Sequence, residues 1–102
     1  MKFQRVLLGL IAASVMAMGG AQAAKVKIGV VLPYSGGAAQ FGEQIDRGMN
    51  LFIQQHKGAF GGHEIELIKR DSKRPGGDIA KNAVQELITR EKVDLLTGFV
   101  FS

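Results

Sequence analysis

Two adjacent glycines stand between an apolar run and a candidate helix in "LPYSGGAAQFGEQ", residues 32–44. Backbone N–H groups in such a loop, and at the start of the helix it feeds, can converge on an anion. Two phosphate-binding patterns come near this stretch. A P-loop needs a lysine and a hydroxyl after its second glycine to neutralise and order a polyphosphate. Here Gly37 and Gly42 have the spacing, but Glu43 and Gln44 occupy those positions. The dinucleotide pattern G-x-G-x-x-G also fails, because Gly36 and Gly37 are adjacent. What remains is a singly charged group, most simply a carboxylate, held by loop and helix N–H groups with Ser35 as a hydroxyl donor.

Other chemistries find less support. The chain has no cysteine, which removes disulfides, thiolate metal sites and cysteine nucleophiles. Ser35 and Ser72 lack the G-x-S-x-G setting of an activated serine, and Ser14 lies in the apolar leader. His56 and His63 have no H-x-x-x-H pairing for zinc. No cofactor is called for.

The elements that position the loop follow from apolar periodicity. "VKIGVVL", Val26 to Leu32, is a nearly continuous β-branched run, as in a strand covered on both faces, and Pro33 ends it. From about Gly42, the residues Ile45, Met49, Phe52, Ile53 and His56 fall on one face of a helix that "GAFGG" stops. "HEIELIKRD" predicts a second strand with one wetter face. Gly76 and Gly77 open a turn, Asp78 is the expected N-cap of a second helix buried along Ile79, Ala83, Val84, Leu87 and Ile88, and Lys92 closes it. Asp94 to Thr97 predicts a third strand, with a loop from Gly98.

Strand and helix thus alternate as βαβαβ, the pattern of right-handed crossovers in an α/β fold: a three-layer parallel sheet with helices on both faces. Ligands of such sheets bind outside the carboxyl ends of the strands. The loops there are "PYSGGAAQF", "DSKRPGG" and "GFVFS". With three strands against the usual ~5–6, and an end at Ser102 inside a loop, the chain is expected to be a fragment of a longer protein.

The N-terminus sets the compartment. Lys2 and Arg5 precede an apolar run from Val6 to Met18, followed by Gly19-Gly20 and Ala21-Gln22-Ala23. This is the order of a secretory signal peptide over residues 1–23, cut after Ala23. Its 13 apolar or small residues fall short of the roughly 20 that span a bilayer. Cleavage would leave 11 bases against 9 acids, a net charge of +2. The remaining basic cluster, Lys69 to Arg74, has no interleaved aromatics and is read as a solvated loop, so nucleic acid is not an expected partner.

"VKIGVVLPYSGGAAQFGEQIDRGMNL", "IELIKRD" and "AVQELITREKVDLLTGFVFS" together resemble the N-terminal lobe of type I periplasmic solute-binding proteins, the leucine/isoleucine/valine-binding group and its relatives. The resemblance covers Lys25 to Ser102. It implies part of one lobe of a two-lobed protein over residues 24–102, with a small-molecule ligand, no enzymatic activity, a periplasmic location and the membrane permease of an ABC importer as partner. By position it implies ligand contact from Phe41, in "AQFG", and from Val100 and Ser102, in "GFVFS". Phe101 stands where the family has a smaller residue, and Tyr34 where Leu, Met or Thr is more usual. The four aromatics Tyr34, Phe41, Phe99 and Phe101 on these loops suit an aromatic carboxylate as well as an amino acid, although alternation puts Phe99 and Phe101 on one face and favours core for one of them. Asp71 matches a family acid at a strand end. A ligand-sensing domain on the same fold, or an exported hydrolase with its catalytic residues elsewhere, are the competing classes.

Overall fold

The computed structural model describes residues 24–101. The expected signal peptide and Ser102 lie outside them.

Strand β1 (Val26–Leu32) occupies the expected residues and is the middle of the parallel part of the sheet. It pairs in parallel with β3 (His63–Asp71) on one side and β4 (Leu95–Gly98) on the other. Its continuous apolar run has a physical counterpart: Val30, Val31 and Leu32 are fully buried. The sheet has one strand more than the periodicity predicts. Ala59-Phe60, β2, turns through Gly61 and Gly62, both at positive φ, and pairs antiparallel with the start of β3, giving the order β2-β3-β1-β4. Two left-handed residues between the arms form the tight turn that matches strand twist, so "GAFGG" is a hairpin as well as a helix stop.

Helix α1 (Ala39–Gln55) and helix α2 (Gly77–Thr89) cover opposite faces of the sheet. Alternation sends Val31 and Ile68 to α2, where they meet Ala83 and Leu87 with Ala80, Val84 and Val93. It sends Ile28, Leu67 and Lys69 to α1, whose Met49, Phe52 and Ile53 line an apolar groove with Ile28 and Leu67. The two packings differ in quality. Leu87 is fully buried, whereas Ile45 and Phe52, expected on a buried stripe, are 42% and 44% exposed. His56 likewise faces outward and stacks on Phe52, with ring centroids 4.0 Å apart. Among the described residues the sheet covers only part of the apolar stripe of α1.

Local boundaries shift for identifiable reasons. A single 3-10 turn, Gly36–Ala38, precedes α1, which therefore starts three residues before Gly42. Gly42 is buried because α1 leans on the end of β1; a Cβ there would lie 1.9 Å from the Pro33 carbonyl oxygen. Gly76, not Asp78, is the N-cap of α2, and Asp78 sits in the first turn, where its charge still suits the helix dipole. The helix ends at Thr89, before Lys92, which adopts a left-handed turn conformation at φ 54°. Asp94 stays outside β4 and clamps Lys27 instead, accepting from its N–H at 2.9 Å and donating its own N–H to its carbonyl at 2.8 Å. The basic cluster is not a solvated loop throughout: Lys69 and Arg70 belong to β3 and pair with Asp46 and with Glu86 and Glu91.

Gly42→Ala should destabilise the protein by about 1–3 kcal/mol, the usual cost of overpacking, and Leu87→Ala by about 2–5 kcal/mol through the cavity it leaves. Gly37→Ala, whose Cβ meets nothing within 4 Å, serves as the control, and urea denaturation followed by circular dichroism measures all three.

Candidate functional site

The carboxyl ends of β1, β3 and β4 bring the three expected loops to one edge of the sheet. Their organiser is Asp71, the last residue of β3. Its Oδ1 accepts the Tyr34 N–H and the Lys73 N–H, each at 2.8 Å, and its Oδ2 accepts the Ser35 hydroxyl at 2.6 Å. One carboxylate thus fastens the loop after β1 to the loop after β3. Burial pushes the Asp71 carboxyl up, but the bonds from Ser35, Tyr34 and Lys73, with the Lys73 charge, outweigh it and hold the group below its ordinary value.

This arrangement changes what the expected residues can do. Ser35 gives its proton to Asp71, so that hydroxyl is engaged in fixing the loop. Tyr34 is anchored at both ends: its N–H is on Asp71, and its hydroxyl points back under α1 to Asp46 at 3.4 Å. Asp46 is itself held by Lys69 at 2.6 Å and Asn50 at 3.1 Å. Burial, the Asp46 charge and its hydrogen bond, and the Asp71 charge push the Tyr34 phenol up to about 12, so it stays neutral through the physiological range. Phe41, in the first turn of α1, is 48% exposed and open to the edge.

The loop after β4 takes an unusual path. Gly98, the last residue of β4, has φ 118°, and a Cβ there would come 2.1 Å from the Val31 carbonyl oxygen. Phe99 follows in the left-handed region at φ 66°, its N–H donating to that same oxygen at 2.8 Å. A non-glycine residue held in this region is a form of local strain found at functional sites. The turn also breaks strand alternation, so neither Phe99 nor Phe101 enters the core: Phe99 is 46% exposed and Phe101 half-buried.

Phe99, Val100 and Phe101 line one concavity, of about 330 Å³ including the part open to solvent, with Val31, Ala80, Ser72, Arg74 and the start of α2 at Gly76 and Gly77. Tyr34, Ser35 and Phe41 do not line it. The edge therefore divides into a front, the Asp71-braced loop with Phe41, and a back, the concavity beside α2. Sequence reasoning placed "DSKRPGG" on this edge but gave Ser72 and Arg74 no role. The signal was a paired glycine at a helix start with an arginine two residues before it. Among the described residues no group of three or more His, Cys, Asp or Glu is placed to hold a metal, and no helix is long and apolar enough to cross a membrane.

Comparison with known proteins gives this edge its context. Residues 25–102 match the periplasmic binding protein family. The chain is 30% identical over 99 residues to the Leu/Ile/Val-binding protein homolog 6 of Brucella abortus (strain 2308), a match covering 97% of this chain and 25% of the relative. Among solved structures, a solute binding protein of an ABC transporter from Rhodopseudomonas palustris HaA2, in complex with p-hydroxybenzoic acid, superposes with a TM-score of 0.72 at 35% identity, over 76% of this chain and 21% of that one. Another, from Rhodopseudomonas palustris BisB5 in complex with 3,4-dihydroxybenzoic acid, gives 0.68 at 37% identity, over 74% and 20%. The chain thus spans about a quarter of the length of the curated relative. Since the match runs from β1 through the loop after β4, the chain belongs to the periplasmic binding protein family.

Proposed function

We propose that this chain is part of the N-terminal lobe of the periplasmic substrate-binding component of an ABC importer, exported by residues 1–23 and delivering its solute to a membrane permease. Its ligand is a small carboxylate-bearing solute, with aromatic acids preferred over branched-chain amino acids. The observation that carries this reading is the Asp71-braced edge: the loop after β1, which feeds α1, is held against the end of β3 and bordered by the exposed rings of Phe41 and Phe99. Relatives that hold hydroxybenzoic acids share the fold and about a third of the residues.

In this reading the backbone of residues 36–38 and the first turn of α1 receive the carboxylate. Phe41 stacks on the ring of the solute, and Val100 and Phe101 form the facing wall. The family resemblance assigns a further ligand hydroxyl to Ser102, which lies outside the described residues. Ser35 and Tyr34 act as support, because their protons are committed to Asp71 and Asp46. One lobe alone does not hold such a solute tightly. A hydrogen bond to a charged group nets about 1.5–3 kcal/mol, while a micromolar complex needs about 8 kcal/mol beyond association costs of roughly 4–15. Enclosure between two lobes supplies the difference and gives the permease a closed form to recognise.

Calorimetric titration of the full-length protein with 4-hydroxybenzoate, benzoate, phenylalanine, leucine and isoleucine tests the assignment. We expect saturable binding with a 4-hydroxybenzoate or benzoate affinity above that of leucine, and Phe41→Ala should weaken it about tenfold, roughly 1.4 kcal/mol. Turnover of any of these compounds, detected by mass spectrometry, would overturn the reading.

Asp71 provides a pH test. Its folded-state value is depressed, so its contribution to stability is complete above the unfolded value of about 3.9 and disappears as pH falls through the lower folded value. Affinity should therefore hold from neutrality to about pH 5 and fall in more acidic solution. Asp71→Asn should lower stability by roughly 1–3 kcal/mol at pH 7 and flatten the acid limb of the stability curve, as measured by thermal unfolding across pH.

A further inference from the structure

The concavity behind the ligand edge contains a polar group with nothing to bind. Ser72 is 5% exposed, and its hydroxyl oxygen has no hydrogen-bond partner among the described residues. Buried hydroxyls are normally paired, because leaving one unpaired costs the desolvation of the group. Ser72 lines the concavity together with Gly76 and Gly77, where α2 begins. That 13-residue helix has no side-chain cap at its N-terminus, so its first-turn N–H groups point toward the same space without an intrahelical acceptor. Arg74 lines it too, with its guanidinium over Gly76, 3.1 Å from where a Cβ would stand. Buried hydroxyl, uncapped helix amides and guanidinium are all hydrogen-bond donors, and they face one opening.

We propose that the N-terminal end of α2 is an oxyanion site in which Ser72, Arg74 and the first-turn amides of α2 grip one carboxylate-, sulfate- or phosphate-type group beneath Phe99 and Phe101. The site shares the wall residues Val100 and Phe101 with the proposed solute cleft but none of Ser35, Tyr34 or Phe41, and its donors, Ser72, Arg74 and the amides of α2, take no part in the solute contacts proposed above. It suits a small group and not a polyphosphate, since a single cationic side chain serves it and the rest of its lining, Val31, Ala80, Val100 and the two phenylalanines, is apolar. The opposing charge is Asp78. Its Oδ2 accepts from Arg74 Nη2 at 3.0 Å, and it sits in the first turn of α2, where it competes for the same positive potential. Asp78 is 61% exposed, which leaves it free to swing into solvent when an oxyanion takes its place on Arg74. The Arg74–Asp78 pair then acts as a built-in competitor that sets the affinity.

The test is nuclear magnetic resonance titration of the ¹⁵N-labelled full-length protein, at ionic strength held constant with sodium chloride, using sodium sulfate in one arm and sodium benzoate in the other. Saturable shifts of the Gly77 and Asp78 amides with sulfate support a site for free tetrahedral anions. Saturation with benzoate alone supports a site for the carboxylate of an organic solute. Arg74→Gln should weaken binding about tenfold, and Ser72→Ala severalfold while holding or raising Tm, because it removes the unpaired hydroxyl. Asp78→Asn should tighten binding severalfold. The proposal fails if neither anion gives saturable shifts at Gly77 and Asp78, if Arg74→Gln binds like the parent, or if Asp78→Asn weakens binding. Should Ser72→Ala not fold, the Arg74 and Asp78 variants decide alone.

Discussion

Of three hydrogen bonds into one carboxylate, that of Asp71, two tie the end of β3 to the loop that leaves β1 and the third folds the loop after β3 back onto it. Backbone pairing between these strands extends to Leu32 and Asp71 and then stops. Beyond that point the chain has no ladder to define its path. An ionised acceptor serves this purpose better than a neutral one, because charge-assisted bonds are shorter and about twice as strong. The cost of partly burying the charge is offset by the donors that surround it, and the loop N–H and hydroxyl groups gain a partner they would otherwise take from water.

A second brace works from below. Tyr34 reaches from the same loop to Asp46 on α1, and Asp46 reaches Lys69 on β3. Loop, helix and strand are thereby joined through side chains midway along α1, while Gly42, nearer its start, lets the helix backbone rest on Pro33. At the far end, by contrast, Phe52, His56 and Phe60 stack on each other at the surface. Side chains from three elements therefore hold the loop at the carboxyl edge of the sheet, the edge where an open α/β fold presents a ligand.

Much of this was legible in the residues. A continuous β-branched run marked β1 as a two-faced interior strand, and Val30 to Leu32 are buried as that pattern requires. The alternation of strand and helix periods gave the parallel crossovers and hence the edge that carries the loops. The motifs at the ends of β1 and β4 pointed to the family that the comparison bears out. Less visible were β2, because two residues are too few to carry a period, and the true start of α1, because a 3-10 turn and an α-helix share their apolar spacing at this length.

Sequence by itself therefore determined the elements, their order and the side of the sheet where chemistry gathers, since these follow from local periodicity and from the handedness of L-residue crossovers. Tertiary structure decided the roles of individual side chains there. The hydroxyls of Ser35 and Tyr34 came to donate to Asp71 and Asp46, because these acids, distant in sequence, arrived within hydrogen-bond reach. Phe99 left the core because the close approach of Val31 forces a left-handed turn after Gly98. Ser72 and Arg74 joined the start of α2 in one concavity for the same reason: which groups pair, and which are left unpaired, is fixed by contacts across the sheet that no local pattern encodes.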